Sequence, residues 1–219
     1  INISKNLESV NDLFNLFNKL LKNYFDTIIS IGGGTVIDIA KLICYVHRSK
    51  FNFEKLFNNN SNQLPALNKK RMKHFSIVTM PGSGVESSKV SVINMNREKY
   101  FFISDSLVPN HVIYDHISIK GLNQNRQFFQ ITDAFTHGVE SLMSPLNSHL
   151  SIEYSLTVIN IIHKLFKHHF ESSHKGLVFS KNIDKYSLAS FYGGASQSDA
   201  GTGLAHALAH SIERNLLLS

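Results

Sequence analysis

The chain has 219 residues, 42% of them hydrophobic, which is enough to bury a core in one large domain or two small ones. No apolar run approaches the ~20 residues of a membrane span, and the opening INISKNLESVNDLF lacks the basic-then-apolar layout of a secretory signal, so a cytoplasmic protein with no membrane partner is expected. The formal charge of +6 is scattered without interleaved aromatics, which argues against a nucleic-acid partner, and the lone Cys44 excludes an internal disulfide.

In chain order, Val10, Leu13, Phe14, Phe17, Leu20 and Leu21 recur at helical spacing. The β-rich run Thr27–Ile31 follows and ends in Gly32, Gly33 and Gly34. From Thr35, placed to cap a new helix, Val36, Ile37, Ile39, Ala40, Ile43 and Cys44 resume the 3.6 period, and Cys44 reads as a buried, inert thiol. Strand, glycine turn and helix make a nucleotide-type unit. The stretch from Asn58 to Lys73 reads as a polar loop, and Phe75–Met80 as a second buried strand. Lys89–Asn94 and Tyr100–Ile103 form a hairpin around Asn94–Arg97, and Val112–Tyr114 is a further strand. From Gln127 the chain turns helical, with amphipathic stretches at Ile152–Phe166, Lys185–Ala195 and Leu204–Leu217. These patterns place a boundary near Gly121, dividing the chain into residues 1–120 and 121–219.

Two glycine-rich turns stand out. Gly32-Gly33-Gly34-Thr35 lies where backbone N–H groups and the positive end of a helix can hold a phosphate, although it lacks the G-x-G-x-x-G spacing. Thr79-Met80-Pro81-Gly82-Ser83-Gly84-Val85-Glu86 repeats the pattern after the second strand, and in an open α/β sheet both turns project from the carboxyl ends of strands, where ligands bind. In the helical part, Asp133 and His137 stand four apart, as do His206 and His210, so each pair shares a helix face. Carboxylate oxygen with imidazole nitrogen suits zinc or ferrous iron.

Taken in order, GGGTVIDIAK (32–41), TMPGSGVE (79–86), DAFTHGVES (133–141) and GTGLAHALAH (201–210) resemble the signature blocks of the iron-containing alcohol dehydrogenases. The resemblance implies an α/β nucleotide-binding domain followed by an all-α metal-binding domain, the two-domain plan shared with dehydroquinate synthase, here incomplete at both ends. It implies that Gly32, Gly33, Gly34, Thr35 and Asp38 in the first turn, and Thr79, Gly82 and Ser83 in the second, hold NAD or NADP. Asp133, His137 and His206 map to metal ligands for Fe2+ or Zn2+, and the family's fourth ligand, another His, would fall just past Ser219. His210 resembles a site histidine that is not a ligand and is the candidate relay for the hydroxyl proton. The activity implied is hydride transfer between a small alcohol and the nicotinamide, with the cation as Lewis acid, in a homodimer. Thr35 for Ser, Ser83 for Thr and Val85 for Ser depart from the family pattern, and the third removes a hydroxyl. Alternatives are a dehydroquinate-synthase-like lyase or cyclase, which Asp133 in place of Glu disfavours, and a truncated non-catalytic paralogue.

Overall fold

The computed structural model describes residues 10–23, 25–49, 56–57, 63–67, 72–95, 98–171 and 182–216. Contacts divide the chain into two units, residues 1–77 with 89–113 and residues 78–88 with 114–219. The division at Tyr114 lies a few residues before the boundary expected near Gly121, and the second glycine-rich turn joins the helical unit.

In the first unit, α1 (Val10–Leu21), β1 (Thr27–Gly32) and α2 (Gly34–Ser49) follow the expected order. β2 (Lys73–Val78) and β5 (His111–Tyr114) complete a three-stranded sheet ordered β1-β2-β5. Its strands are parallel. The Lys73 N–H donates to the Asp26 carbonyl, which sets the starts of β1 and β2 side by side, and the pairs Asn110–His74 and Asp115–Val78 climb together along β5 and β2. The predicted hairpin is β3 (Val90–Met95) with β4 (Glu98–Ile103), antiparallel with Val90 opposite Ile103 and Met95 opposite Glu98. Most of the polar loop expected between Asn58 and Lys73 lies outside the described residues, as do the tip residues 96–97 of the hairpin.

The core of this unit gathers Leu13 and Phe17 from α1, Leu42 and Tyr45 from α2, and Ile93 and Phe102 from the hairpin. Cys44 is buried, as expected, with its Sγ 3.7 Å from Met72 Sδ. An apolar groove of about 400 Å³ runs between α1, β1 and α2.

The second unit continues with α3 (His116–Lys120), α4 (Gln124–Met143), α5 (His149–Glu171), α6 (Ile183–Ala200) and α7 (Leu204–Leu216). Asn123 caps α4 by accepting from the Arg126 N–H at 2.8 Å. Ile131 and Ala134 of α4, Val158 and Ile162 of α5, and Tyr186 and Ala189 of α6 form its core. Ser144 donates to the Ala200 carbonyl at 2.6 Å, fastening the ends of α4 and α6, after which Gly201 (φ +77°) turns the chain into α7. Among the described residues no helix is long and apolar enough to cross a membrane.

Candidate metal centre and glycine-rich turns

On α4, Asp133 and His137 lie one helical turn apart and face α7, which returns His206 to them. His206 Nε2 is 3.3 Å from Asp133 Oδ1, and His137 Nε2 is 4.0 Å from the same oxygen. The two imidazoles stack, with centroids 4.4 Å apart and planes at 12°. Two atoms bound to one ion at about 2.1 Å can be no more than about 4.2 Å apart. The three donors lie within 4.8 Å of one another, so a small adjustment brings all three to one cation. One carboxylate and two imidazoles also match the donor preference of zinc and ferrous iron.

At Asp133 and His137 the electrostatics favour metal-competent protonation. Burial drives the His137 pKa down to about 4, leaving a neutral imidazole at physiological pH. At Asp133 burial works to raise the pKa, but the His206 hydrogen bond and the charges of His137, His206 and His210 outweigh it and hold the carboxyl below its usual range. Burial alone would lower His206, yet its bonds to Asp133 and Glu140 raise it. Asp133 is 39% exposed against 5% for His137 and 12% for His206, so the cluster opens to solvent on the Asp133 side.

His210, one turn along α7, holds its ring 6.2 Å from that of His206 and is partly exposed. It stands beside the cluster and outside its donor set. Glu140 is the residue that sequence reasoning missed. Its carboxylate binds the far side of the His206 ring, Nδ1 to Oε2 at 2.5 Å. The signal was its spacing, three residues past His137 and seven past Asp133, which puts it on the same helix face.

The first glycine-rich turn is a helix start. α2 begins at Gly34, and the Gly33 carbonyl accepts from the N–H groups of Val36 and Ile37 at 3.2 and 3.3 Å. Gly33 therefore takes the cap position assigned to Thr35, which sits exposed in the first turn; glycine is tolerated there because a cap residue is not helical. Gly32 packs on Val36, where a Cβ would approach Cγ2 to 2.8 Å. Asp38 is buried, its carboxylate 3.7 Å from Lys41, and the fully buried Lys41 donates to the Val90 carbonyl at 2.7 Å. Ser91 Oγ donates to the Asp38 carbonyl at 3.0 Å, so Asp38 and Lys41 join α2 to β3.

The second turn is fastened to α6. The Gly82 N–H donates to Ser190 Oγ at 2.6 Å, and Ser190 Oγ donates to Glu86 Oε1 at 2.8 Å. Tyr114 also donates to that buried oxygen at 2.9 Å, while Tyr186 donates to the Pro81 carbonyl at 2.6 Å. Gly84 (φ +66°) lies against Gly194, where a Cβ on either residue would strike the other's backbone. This backbone-to-backbone contact draws residues 78–88 into the helical unit. Thr79 and Ser83 are half-buried, and Gly82 is buried with its Cα against Gln130.

A glycine-rich α/β unit and a cluster of three potential donors between two helices define a protein of α/β-plus-helical build with a candidate metal centre. Residues 5–116 match the family model described as iron-containing alcohol dehydrogenase, and the chain belongs to that family. It is 27% identical over 208 residues to a 4-hydroxybutyrate dehydrogenase of Clostridium kluyveri, covering 91% of this chain and 53% of that protein. An iron-containing alcohol dehydrogenase from Thermotoga maritima shares the fold with a TM-score of 0.79 at 20% identity, covering 100% of this chain and 57% of that one. A sulfoacetaldehyde reductase from Bifidobacterium kashiwanohense, solved in complex with NAD+, does so with a TM-score of 0.78 at 17% identity, over 97% and 55% of the two chains. The chain spans about half the length of these relatives.

Proposed function

We propose that the protein is a metal-dependent, NAD(P)-linked oxidoreductase that interconverts a small alcohol and its aldehyde or ketone. The observation that carries this reading is the convergence of Asp133, His137 and His206, drawn from two helices, on one point open to solvent. A divalent cation held there, Fe2+ or Zn2+, would supply Lewis acidity toward the alcohol oxygen. The chain's own residues do the rest. Asp133 contributes the anionic donor, and His137, kept neutral by burial, contributes a lone pair at the enclosed end.

His210, partly exposed beside the cluster, is suited to take up the hydroxyl proton on its imidazole and pass it to solvent. At the first turn, the N-terminal amides of α2 are placed to hold the dinucleotide phosphates, with Gly32, Gly33, Gly34 and Thr35 forming the approach and Asp38 ordering the helix behind them. Thr79, Gly82 and Ser83 supply the second cofactor contact. The reading extends to a cytoplasmic protein acting on small molecules, and to a homodimer by resemblance to the family. Among substrates, 4-hydroxybutyrate deserves trial first because the Clostridium kluyveri relative is named for it.

The test is turnover. Protein reconstituted with Fe2+ or Zn2+ is given NAD+ or NADP+ with 4-hydroxybutyrate or short primary alcohols. Accumulation of reduced nicotinamide supports the assignment, and a cofactor that returns unchanged while substrate is consumed would replace it with lyase or cyclase chemistry.

A further inference from the structure

We propose that Glu140 is a positioning residue for the metal centre: its carboxylate fixes the rotation and tautomer of His206 so that Nε2 is the donor presented to the ion. The proposal rests on the metal-site reading above and deepens it. Asp133, His137 and Glu140 share one face of α4, and they meet His206 from opposite sides. Asp133 Oδ1 is 3.3 Å from Nε2, whereas Glu140 Oε2 is 2.5 Å from Nδ1.

The same carboxylate also accepts the backbone N–H groups of Gly203 at 2.8 Å, Ala205 at 2.7 Å and His206 at 3.2 Å. Four donors therefore converge on two oxygens. Three of them are amides at the start of α7, where a helix has no carbonyls of its own to offer, so Glu140 caps from another helix the element that carries the ligand. Gly203 makes room for this: a Cβ there would lie 3.0 Å from the Glu140 carboxyl carbon. The Glu140 side chain is only 10% exposed, which limits competition from water.

The chemistry follows from what a carboxylate can do. An ionised carboxylate only accepts, and of the two carboxylates that flank the ring Glu140 is the nearer, at 2.5 Å against 3.3 Å for Asp133, so in a neutral His206 whose Nε2 is given to a cation the remaining proton sits on Nδ1, toward Glu140. A ligand histidine tied to a carboxylate through its second nitrogen is held in rotation as well as in tautomer. His137 has no such support, since its buried Nδ1 has no hydrogen-bond partner among the described residues. Its ring is stacked on that of His206, so the hold on His206 steadies both imidazoles. Glu140 is not itself a ligand here, because both its oxygens are engaged on the side of the ring away from Asp133.

Zinc affinity, measured by chelator competition on the whole chain, tests this with Glu140→Gln and Glu140→Asp, each first shown to keep its helical signal. Gln preserves volume but turns an NH2 group toward two of the four donors, and Asp keeps the charge but loses the reach. Both should bind zinc roughly tenfold to hundredfold more weakly than the parent. Unchanged affinity in Glu140→Gln overturns the proposal, and full affinity in Glu140→Asp reduces the residue to a nearby charge and overturns it too. A parent chain that takes up no zinc overturns the metal-site reading, and this proposal with it.

Nitrogen-15 spectra of the zinc-loaded parent need no variant. Zinc on Nε2 of His206 with the proton on Nδ1 is expected, and zinc on Nδ1 contradicts the assignment. A residue that merely capped α7 would change melting temperature and leave both readouts alone.

Discussion

The two glycine-rich turns read alike along the chain, yet they answer different physical demands. The turn at residues 32–35 is local: Gly32 ends β1 and packs on Val36, Gly33 opens α2, and Thr35 reaches solvent. The turn at residues 79–86 is held from below by Ser190, Tyr186 and Glu86, and Gly84 is spent on contact with Gly194. A glycine beside a hydroxyl therefore signals close approach of something to the backbone. Whether that is a ligand or another piece of backbone depends on residues far along the chain.

Substitutions can break this contrast. Gly194→Ala should be the most damaging, because its Cβ would fall on the Gly84 carbonyl with backbone on both sides. A loss of about 3 kcal/mol in unfolding free energy, or failure to fold, is expected from urea denaturation. Stability within about 0.5 kcal/mol of the parent would show that the contact is not tight.

An effect of similar size is expected from pH, and it separates the helical unit from the first turn. His137 has its folded pKa lowered to about 4, so the unfolded chain binds the extra proton between about 6.5 and 4. Stability of the metal-free protein should fall across that window as pH drops, by up to about 3 kcal/mol. His206 acts with the opposite sign and in another window. Its raised pKa contributes stability that is whole below its unfolded value and is lost as pH rises through the folded one. His137→Gln should flatten the acid limb of the profile, and an unchanged limb would place the responsible group elsewhere.

Ser190→Ala should cost about 1–3 kcal/mol, since it strands the Gly82 N–H and removes a donor from buried Glu86. Gly33→Val should be the mildest for folding, under about 1 kcal/mol, because the described glycines held at positive φ are Gly82, Gly84 and Gly201 and do not include it. It should still weaken NAD(P) binding by about tenfold or more through steric blockade at the phosphate approach. If Gly33→Val binds cofactor as the parent does, Gly33 serves folding alone, as Gly84 does, and the contrast disappears.

What was legible in the sequence follows from how local each determinant is. The order strand, turn, helix at residues 27–49 rests on periodicity within one short stretch and is found where expected. The three helices after residue 149 also appear, each lengthened or trimmed at its ends, because periodicity locates a helix but caps set its limits. The pairs Asp133/His137 and His206/His210 looked equivalent at i,i+4 spacing. The fold brings His206 into the donor set and leaves His210 beside it, since only the turn after Gly201 decides which face of α7 meets α4.

Glu140 escaped notice because its four partners lie in the 203–206 segment, far from it in sequence. The allegiance of residues 78–88 was hidden for the same reason, residing in the Gly84–Gly194 contact. The cap on α2 was misplaced by two residues because Thr is the better cap by preference and Gly33 holds the position by geometry.

If Asp133, His137 and His206 form the metal centre, they hold one divalent cation between them. Anomalous scattering from crystals of the protein grown with zinc tests it directly. One strong peak is expected within about 2.0–2.2 Å of a carboxylate oxygen of Asp133 and of Nε2 of both histidines, absent from crystals of Asp133→Ala. A peak bound elsewhere, or one that persists unchanged in Asp133→Ala, would contradict it.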